Sequence, residues 1–288
     1  MSESKVWLVT GSSRGLGRRI AEQVLEKGDR LIATARRPEQ LADLQERYGG
    51  RIHPIALDVT DPAAAEAAVK AAVDTFGRLD VVVNNAGYGD VASIEDVTLD
   101  DFRAQIDTNF YGVVYMTKAA VPVLRQQGSG HIIQISSVGG RIGTVGLAAY
   151  QSAKWAVEGF SEVLAQEVAP FGMKVTVIEP GGLRTDWAGS SMTIPPVSEP
   201  YEQTVGALVR MFSGYSGLQT GDPVKAAKVI VGLTDLEEPP LRLLLGTDAV
   251  SHAEAADQAR IASDAKWRHL SESIDYDSVP AGDGGRAE

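Results

Sequence analysis

Tyr150 and Lys154 are the residues of this chain whose types and spacing point most directly to proton chemistry. Four positions apart in Tyr-Gln-Ser-Ala-Lys, they share one face of a helix, one turn from each other. A free phenol titrates at about 10 and a lysine at about 10.4, so neither alone exchanges protons well at neutral pH. A fixed ammonium beside a phenol favours the phenolate and draws its titration toward the working range. Ser137 lies thirteen positions before Tyr150, at the end of the mostly apolar run His-Ile-Ile-Gln-Ile-Ser-Ser. A strand ending there lets the serine hydroxyl and the tyrosine converge on one substrate oxygen. Taken alone, Tyr-x-x-x-Lys also describes an ordinary exposed helical pair. The rest of the chain has to decide.

The totals narrow the classes. At 288 residues the chain has a length that single α/β sheets commonly reach, and its 44% hydrophobic and 23% charged residues are those of a soluble globular protein. No apolar run approaches the length of about eighteen residues that spans a bilayer. Met-Ser-Glu-Ser-Lys leads straight into a strand, so we expect no signal peptide, no membrane and a cytoplasmic location. Cysteine is absent, which excludes disulfides, thiolate zinc sites and cysteine nucleophiles. The net charge of −11 argues against nucleic acid as a partner, so an anionic ligand needs a local site. His53, His131, His252 and His269 form no metal spacing, and the adjacent Glu95 and Asp96 read as solvated loop residues.

The elements that must position the pair follow in order. Lys5 to Thr10 is an apolar strand, Gly11-Ser-Ser-Arg-Gly15-Leu-Gly17 a glycine-rich turn, and a helical pattern continues to Leu25. Glycines there let the backbone bend and let a pyrophosphate approach the helix N-terminus. Arg30–Ala35 and Ile52–Leu57 read as further strands, the latter ending at Asp58-Val59. Pro62 to Phe76 is an alanine-rich helix capped by Asp61. Leu79 to Val83 is a strand running into Asn84-Asn85-Ala86-Gly87, and Asp100 to Leu124 one long helix containing Asn109. His131–Ile135 and Lys174–Glu179 are strands on either side of the Tyr150–Val168 helix, the second ending in Pro180-Gly181-Gly182-Leu183-Arg184-Thr185. Residues 186 to 221 are loosely patterned and read as a cover over the site. A helix from Asp222-Pro223 to Leu233 and a strand from Leu241 to Leu245 follow, and Gly246-Thr-Asp-Ala opens a further helix to about Leu270.

Thr-Gly-x-x-x-Gly-x-Gly at Thr10 to Gly17, Asp58, Asn-Asn-Ala-Gly, Asn109, Ser137, Tyr-x-x-x-Lys and Pro-Gly occur in the order of the short-chain dehydrogenase/reductase family, which the chain resembles over roughly residues 5 to 250. The resemblance implies a single-domain Rossmann fold: a doubly wound, seven-stranded parallel sheet with helices on both faces. The catalytic domain is expected over 1–250, with a substrate lid at about 186–221, a C-terminal helix over 251–270 and a flexible tail over 271–288. It further implies catalytic roles for Asn109, Ser137, Tyr150 and Lys154, with Asn109 in a proton relay and Lys154 holding the nicotinamide ribose.

Cofactor-binding residues implied by the resemblance are Gly11, Ser13, Arg14, Gly15, Leu16 and Gly17 in the first turn, and Asp58 and Val59 beside the adenine. Asn85, Ala86 and Gly87 follow in the middle of the sheet, and Pro180, Gly181, Leu183 and Thr185 at the nicotinamide. NAD-preferring members carry an acid at the end of the second strand, where this chain has Ala35 followed by Arg36 and Arg37. Guanidiniums there and at Arg14 suit a 2′-phosphate, so NADP(H) is expected over NAD(H), although NAD(H) stays open. The substrate implied is a small carbonyl compound or its alcohol, and relatives imply a homodimer or homotetramer. Glu158-Gly-Phe-Ser-Glu, Pro170-Phe-Gly and Ile178-Glu-Pro-Gly also resemble the branch that includes 17β-hydroxysteroid and retinol dehydrogenases. A 3-oxoacyl-carrier-protein reductase shares the motifs and would need a basic patch, for which Arg141, Arg184 and Arg210 are candidates. A cofactor sensor without chemistry would typically have lost the tyrosine or lysine, and both are present.

Overall fold

The computed structural model describes residues 4–185, 187, 192–215 and 217–276. A sheet of parallel strands forms the centre: β1 (Val6–Val9), β2 (Arg30–Ala35), β3 (Ile52–Ala56), β4 (Val81–Asn84), β5 (Gly130–Ile135), β6 (Met173–Pro180) and β7 (Arg242–Leu245). Their spatial order is β3-β2-β1-β4-β5-β6-β7. The winding reverses between β1 and β4, which opens a crevice at the carboxyl ends of those strands.

Helices cover both faces, which is why the strands are apolar on both sides. Trp7 and Val9 of β1 pack toward α1 (Gly15–Glu26), α2 (Ala42–Tyr48) and later α8 (Pro223–Gly232). Val6 and Leu8, on the other face, meet α3 (Pro62–Phe76), α5 (Gly112–Gln127) and α6 (Ala148–Val168). Between α3 and α5 lies α4 (Leu99–Ile106), and α7 (Val205–Tyr215) follows α6 within the expected cover. The caps expected at Asp61 and Asp222 are made, through Ala63 N–H at 2.9 Å and Val224 N–H at 2.8 Å.

Some boundaries move for physical reasons. β4 begins at Val81 rather than Leu79, because the Gln127 side-chain amide takes the Leu79 N–H and carbonyl, while the Asp80 carboxylate accepts the Val6 N–H at 2.8 Å. The long helix expected over Asp100–Leu124 is interrupted by a π-turn over Asp107–Tyr111, between α4 and α5. The C-terminal helix α9 runs from Thr247 to Ser271, directly after β7, where Gly246-Thr-Asp-Ala was expected to open it. The expected domain edge at 250 therefore falls inside a helix, and residues 277–288 of the expected tail lie outside the described residues. No helix among the described residues is long and apolar enough to cross a membrane.

Candidate active site

A cavity of about 890 Å³ runs along the carboxyl edge of the sheet. Its floor begins where β1 enters α1. Gly11 has φ +68°, and a Cβ at Gly17 would collide with the Gly11 carbonyl and the Asn85 amide, so both positions need glycine. Arg14 N-caps α1 without a side-chain bond, which leaves the helix N-terminus facing the cavity. The turn is locked to the loop after β4. Thr10 Oγ1 accepts from Asn85 N–H at 2.9 Å and Ala86 N–H at 3.0 Å, while Asn85 Nδ2 donates to the Thr10 carbonyl at 2.9 Å. Asn84 Nδ2 donates to Gln134 Oε1 at 2.9 Å, bracing β4 against β5. The sequence marked Thr10 as a strand end and as the first residue of the glycine motif, but assigned it no clamp.

Of the residues expected at the cofactor, Gly11, Ser13, Arg14, Gly15, Leu16, Arg36, Asp58, Val59, Asn85, Ala86 and Gly87 line this end of the cavity, with Ala35 between them. Two expected residues do not: Gly17 lies beneath the turn, and the exposed Arg37 starts the 3₁₀ turn Pro38–Leu41 outside the lining. The Thr60 backbone N–H and hydroxyl, with the Arg36 charge adding a smaller effect, hold the Asp58 carboxyl below its ordinary range.

At the other end β5 delivers Ser137, and α6 delivers Tyr150 and Lys154 from its first two turns. Ser137 caps the 3₁₀ turn Val138–Gly140, its Oγ accepting the Gly139 N–H at 3.0 Å. Tyr150 is 7% exposed and Lys154 4%, so the pair is not a surface pair. Lys154 Nζ donates to the Ile135 carbonyl at 2.9 Å and lies 5.6 Å from the Tyr150 ring centroid. Trp187 leans on the same ring at 5.2 Å between centroids.

Burial decides both ionisations. It pushes the Tyr150 phenol up to about 12, opposed by its hydrogen bond with Ser137, and pushes the Lys154 ammonium down to about 8. The lowered phenol expected from a neighbouring lysine is not what this environment gives. Desolvation is the largest cause, and the Ser137 hydrogen bond only partly opposes it.

Asn109 is fully buried in the π-turn, the widened backbone setting that frequently marks functional sites. Its side chain accepts from Tyr88 N–H at 3.1 Å and donates to the Tyr88 and Gln105 carbonyls, both at 2.8 Å. It lies behind the cavity wall rather than in it. A Cβ at Gly87 would stand 3.6 Å from Lys154 Nζ and collide with Asn109 Oδ1, so both residues face Gly87. What Asn109 visibly does is hold the Tyr88 loop.

Pro180, Gly181, Leu183 and Thr185 line the cavity together with Ile142, Leu147, Leu208, Met211 and Phe212. The α7 residues pack on Val91 and Leu147, giving the cover its own small core. Asp186, where the cover was expected to begin, lies outside the described residues. Glu95 and Asp96 are not merely solvated: they tie this cover down, Glu95 accepting from Tyr201 Oη at 2.9 Å and Asp96 from Ser198 Oγ at 3.0 Å. Asp248, Gln219 and His252 also line the cavity and were not anticipated. Asp248 accepts the Gly182 N–H at 2.7 Å across 66 residues of sequence, a contact no spacing rule could reveal. His131 is buried against Thr176 and pushed down to about 4 by desolvation. Among the described residues no group of His, Asp or Glu has a metal-site arrangement.

The three arginines considered for a basic patch are engaged elsewhere. Arg141 pairs with Glu179 at 2.7 Å, Arg210 with Glu202 at 3.0 Å, and Arg184 donates to the Gln219 carbonyl at 2.9 Å.

The family description "short chain dehydrogenase" matches residues 5–193. The chain is 58% identical over 269 residues to Oxidoreductase BOA17 of Botryotinia fuckeliana, covering 93% of this chain and 98% of that protein. A short-chain dehydrogenase structure from Streptomyces avermitilis superposes with a TM-score of 0.89 at 39% identity, covering 95% of this chain and all of that one. An alcohol dehydrogenase from Thermococcus sibiricus, complexed with 5-hydroxy-NADP, gives a TM-score of 0.70 at 26% identity over 84% of this chain and 96% of that one. With its sheet order, glycine turn and buried tyrosine–lysine pair, this chain belongs to the short chain dehydrogenase family and is an oxidoreductase of that family.

Proposed function

We propose that the protein interconverts a carbonyl compound and its alcohol using NADP(H), with Tyr150 as the general acid and base. The observation that carries this reading is the convergence of Ser137, Tyr150 and Lys154 on one end of a cavity whose other end is the glycine turn. The residues suit a dinucleotide carrying a 2′-phosphate. An open helix N-terminus receives the pyrophosphate, and Arg14 and Arg36 stand beside Ala35 with no acid at the end of β2. When bound, the nicotinamide supplies or accepts the hydride.

The chain's own groups do the rest. In reduction Tyr150 delivers its phenolic proton to the substrate oxygen, and its high titration keeps that proton in place at neutral pH. Ser137 Oγ donates to the same oxygen and stabilises charge as it develops. Lys154, held by the Ile135 carbonyl, provides a positive field in a dry environment and a donor for the ribose. Tyr88, positioned through Asn109, forms part of the wall. Ile142, Leu147, Trp187, Leu208, Met211 and Phe212 give the substrate end an apolar lining. Among the described residues, arginine reaches the lining only at the dinucleotide end, which favours an uncharged ketone or aldehyde over a carrier-bound acyl thioester.

The test is NADPH and NADH consumption over a panel of ketones, aldehydes, quinones, steroids and β-ketoacyl thioesters. Tyr150→Phe should keep NADPH binding while turnover falls by at least about 100-fold, the range of general acid–base catalysis. Unchanged turnover in that variant would sink the mechanism.

A further inference from the structure

The turn after Ser137 is anchored by an ionic chain that none of the chemistry above uses. Ser136 donates its hydroxyl to Glu158 Oε1 at 2.7 Å. Glu158 stands on α6 one turn beyond Lys154, and its second oxygen meets Arg242 at the start of β7. Arg242 also reaches Glu179 and Glu162, each at 2.8 Å. Glu179 is fully buried and immediately precedes Pro180. Its other oxygen meets Arg141, the residue that ends the 3₁₀ turn after Ser137. Arg141 in turn stands 3.7 Å from Asp257 on α9, and its carbonyl accepts from Arg260 at 2.8 Å.

Buried carboxylates are tolerated only when paired, so Glu158 and Glu179 dictate where the two guanidiniums must lie. A guanidinium fork constrains direction as well as distance, which an apolar contact does not. Buried ion pairs seldom stabilise a fold more than well-packed apolar side chains would, so stability is a weak reason for this cluster. Its location offers a stronger one. It joins the Ser137 turn, the helix carrying Tyr150 and Lys154, and the strand end leading to Gly181, whose relative positions define the site.

We propose that Glu158, Arg242, Glu179 and Arg141 form a strut that positions Ser137 against Tyr150, and that α9 clamps its outer end through Asp257 and Arg260. These are positioning residues, acting through Ser137. The strut extends beyond residues 5–193 matched to the family, so β7 and α9 become part of the apparatus that sets the site's geometry. The groups facing the Tyr150 phenol and ring are Ser137, Lys154 and Trp187, and of these the Ser137 hydroxyl favours its ionised form. A Ser137 turn that drifts loses that bond.

The test rests on the carbonyl-reductase reading and uses the full-length protein with NADPH and the best substrate of the panel. Arg242→Lys removes the fork but keeps the charge. Asp257→Asn combined with Arg260→Ala releases the outer clamp at half-exposed positions where folding is not at stake. In both, kcat should fall at least about fivefold, since small misplacements of reacting groups are costly. NADPH affinity and KM should stay within about twofold. The alkaline pH limb for alcohol oxidation should move to higher pH, because the phenol has lost its serine partner. An unchanged kcat and pH limb in the folded double variant overturns the proposal. So does a joint loss of Tm, NADPH affinity and kcat in both variants, which is the pattern of general destabilisation. Tyr150→Phe, run alongside, separates the two levels. If it stays active, the carbonyl-reductase reading fails; if it is inactive beside an unaffected double variant, only the strut fails.

Discussion

Replacing Lys154 by methionine should make the fold more stable at neutral pH while removing its function. The ammonium is fully buried and its titration falls from an ordinary 10.5 to about 8 through desolvation. At about 1.4 kcal/mol for each tenfold change in protonation, the charged form is about 3 kcal/mol less favourable in the fold than in the unfolded chain. The sign follows from proton counting. Between pH 8 and 10.5 the unfolded chain binds more protons at this lysine than the native state does, so stability rises with pH across that window. Below pH 8 the cost is present in full. Methionine has similar reach and no charge, but it forfeits the hydrogen bond to the Ile135 carbonyl, a loss of about 1–2 kcal/mol. The variant should therefore gain about 1–2 kcal/mol at pH 7, and the difference from wild type should shift by about 2–3 kcal/mol in the opposite direction by pH 10. Urea unfolding of both proteins at pH 7 and pH 10 reads this directly. A variant that is less stable at pH 7, or a difference that does not change with pH, would refute the claim that burial controls this lysine.

The same ionisation predicts that carbonyl reduction is sustained below pH 8 and declines above it as Lys154 loses its charge, which a kcat profile on the wild type would record. Arg36→Ala should raise KM for NADPH by at least about tenfold and leave KM for NADH nearly unchanged, given that a charge-assisted bond contributes about 1.5–3 kcal/mol. Equal effects on both cofactors would remove Arg36 from the 2′-phosphate site. Thr10→Val keeps shape but leaves the Asn85 and Ala86 N–H groups without their acceptor. Thermal unfolding should show a loss of about 2–4 kcal/mol, and NADPH affinity should fall with it, since this clamp joins the two halves of the cofactor floor.

Much of the fold was legible because its signals are local. The apolar β1 followed by Gly11 to Gly17, the Asp61 and Asp222 caps, and the order of strands and helices depend on backbone sterics and hydrophobic period, which a short stretch carries within itself. Asp80 shows the limit. Its carboxylate accepts the Val6 N–H of β1 across 74 residues of sequence, a contact that no local pattern marks. The Asp107–Tyr111 π-turn is of the same kind: no local propensity marks it, and the buried Asn109 that it carries is held by a loop more than twenty residues earlier.

The sequence by itself determined which residues are available and on which element each stands: a serine at a strand end, a tyrosine and lysine one helical turn apart, glycines at the first crossover and arginines where an acid would select NAD. Tertiary structure decided their states and partners. Burial sends the Tyr150 and Lys154 titrations in opposite directions, because desolvation depends on everything packed around a group and not on its neighbours in the chain. Arg141, a candidate for a surface patch from its sequence, becomes the link between Glu179 and α9 because a buried carboxylate 38 residues away demands a cation. Arg37 is exposed at the start of the Pro38–Leu41 turn and outside the cavity that Arg36 lines, though the two are adjacent in sequence. Residue types and spacing set which chemistry is possible, and long-range packing, through dielectric and distance, selects the chemistry that this fold can perform.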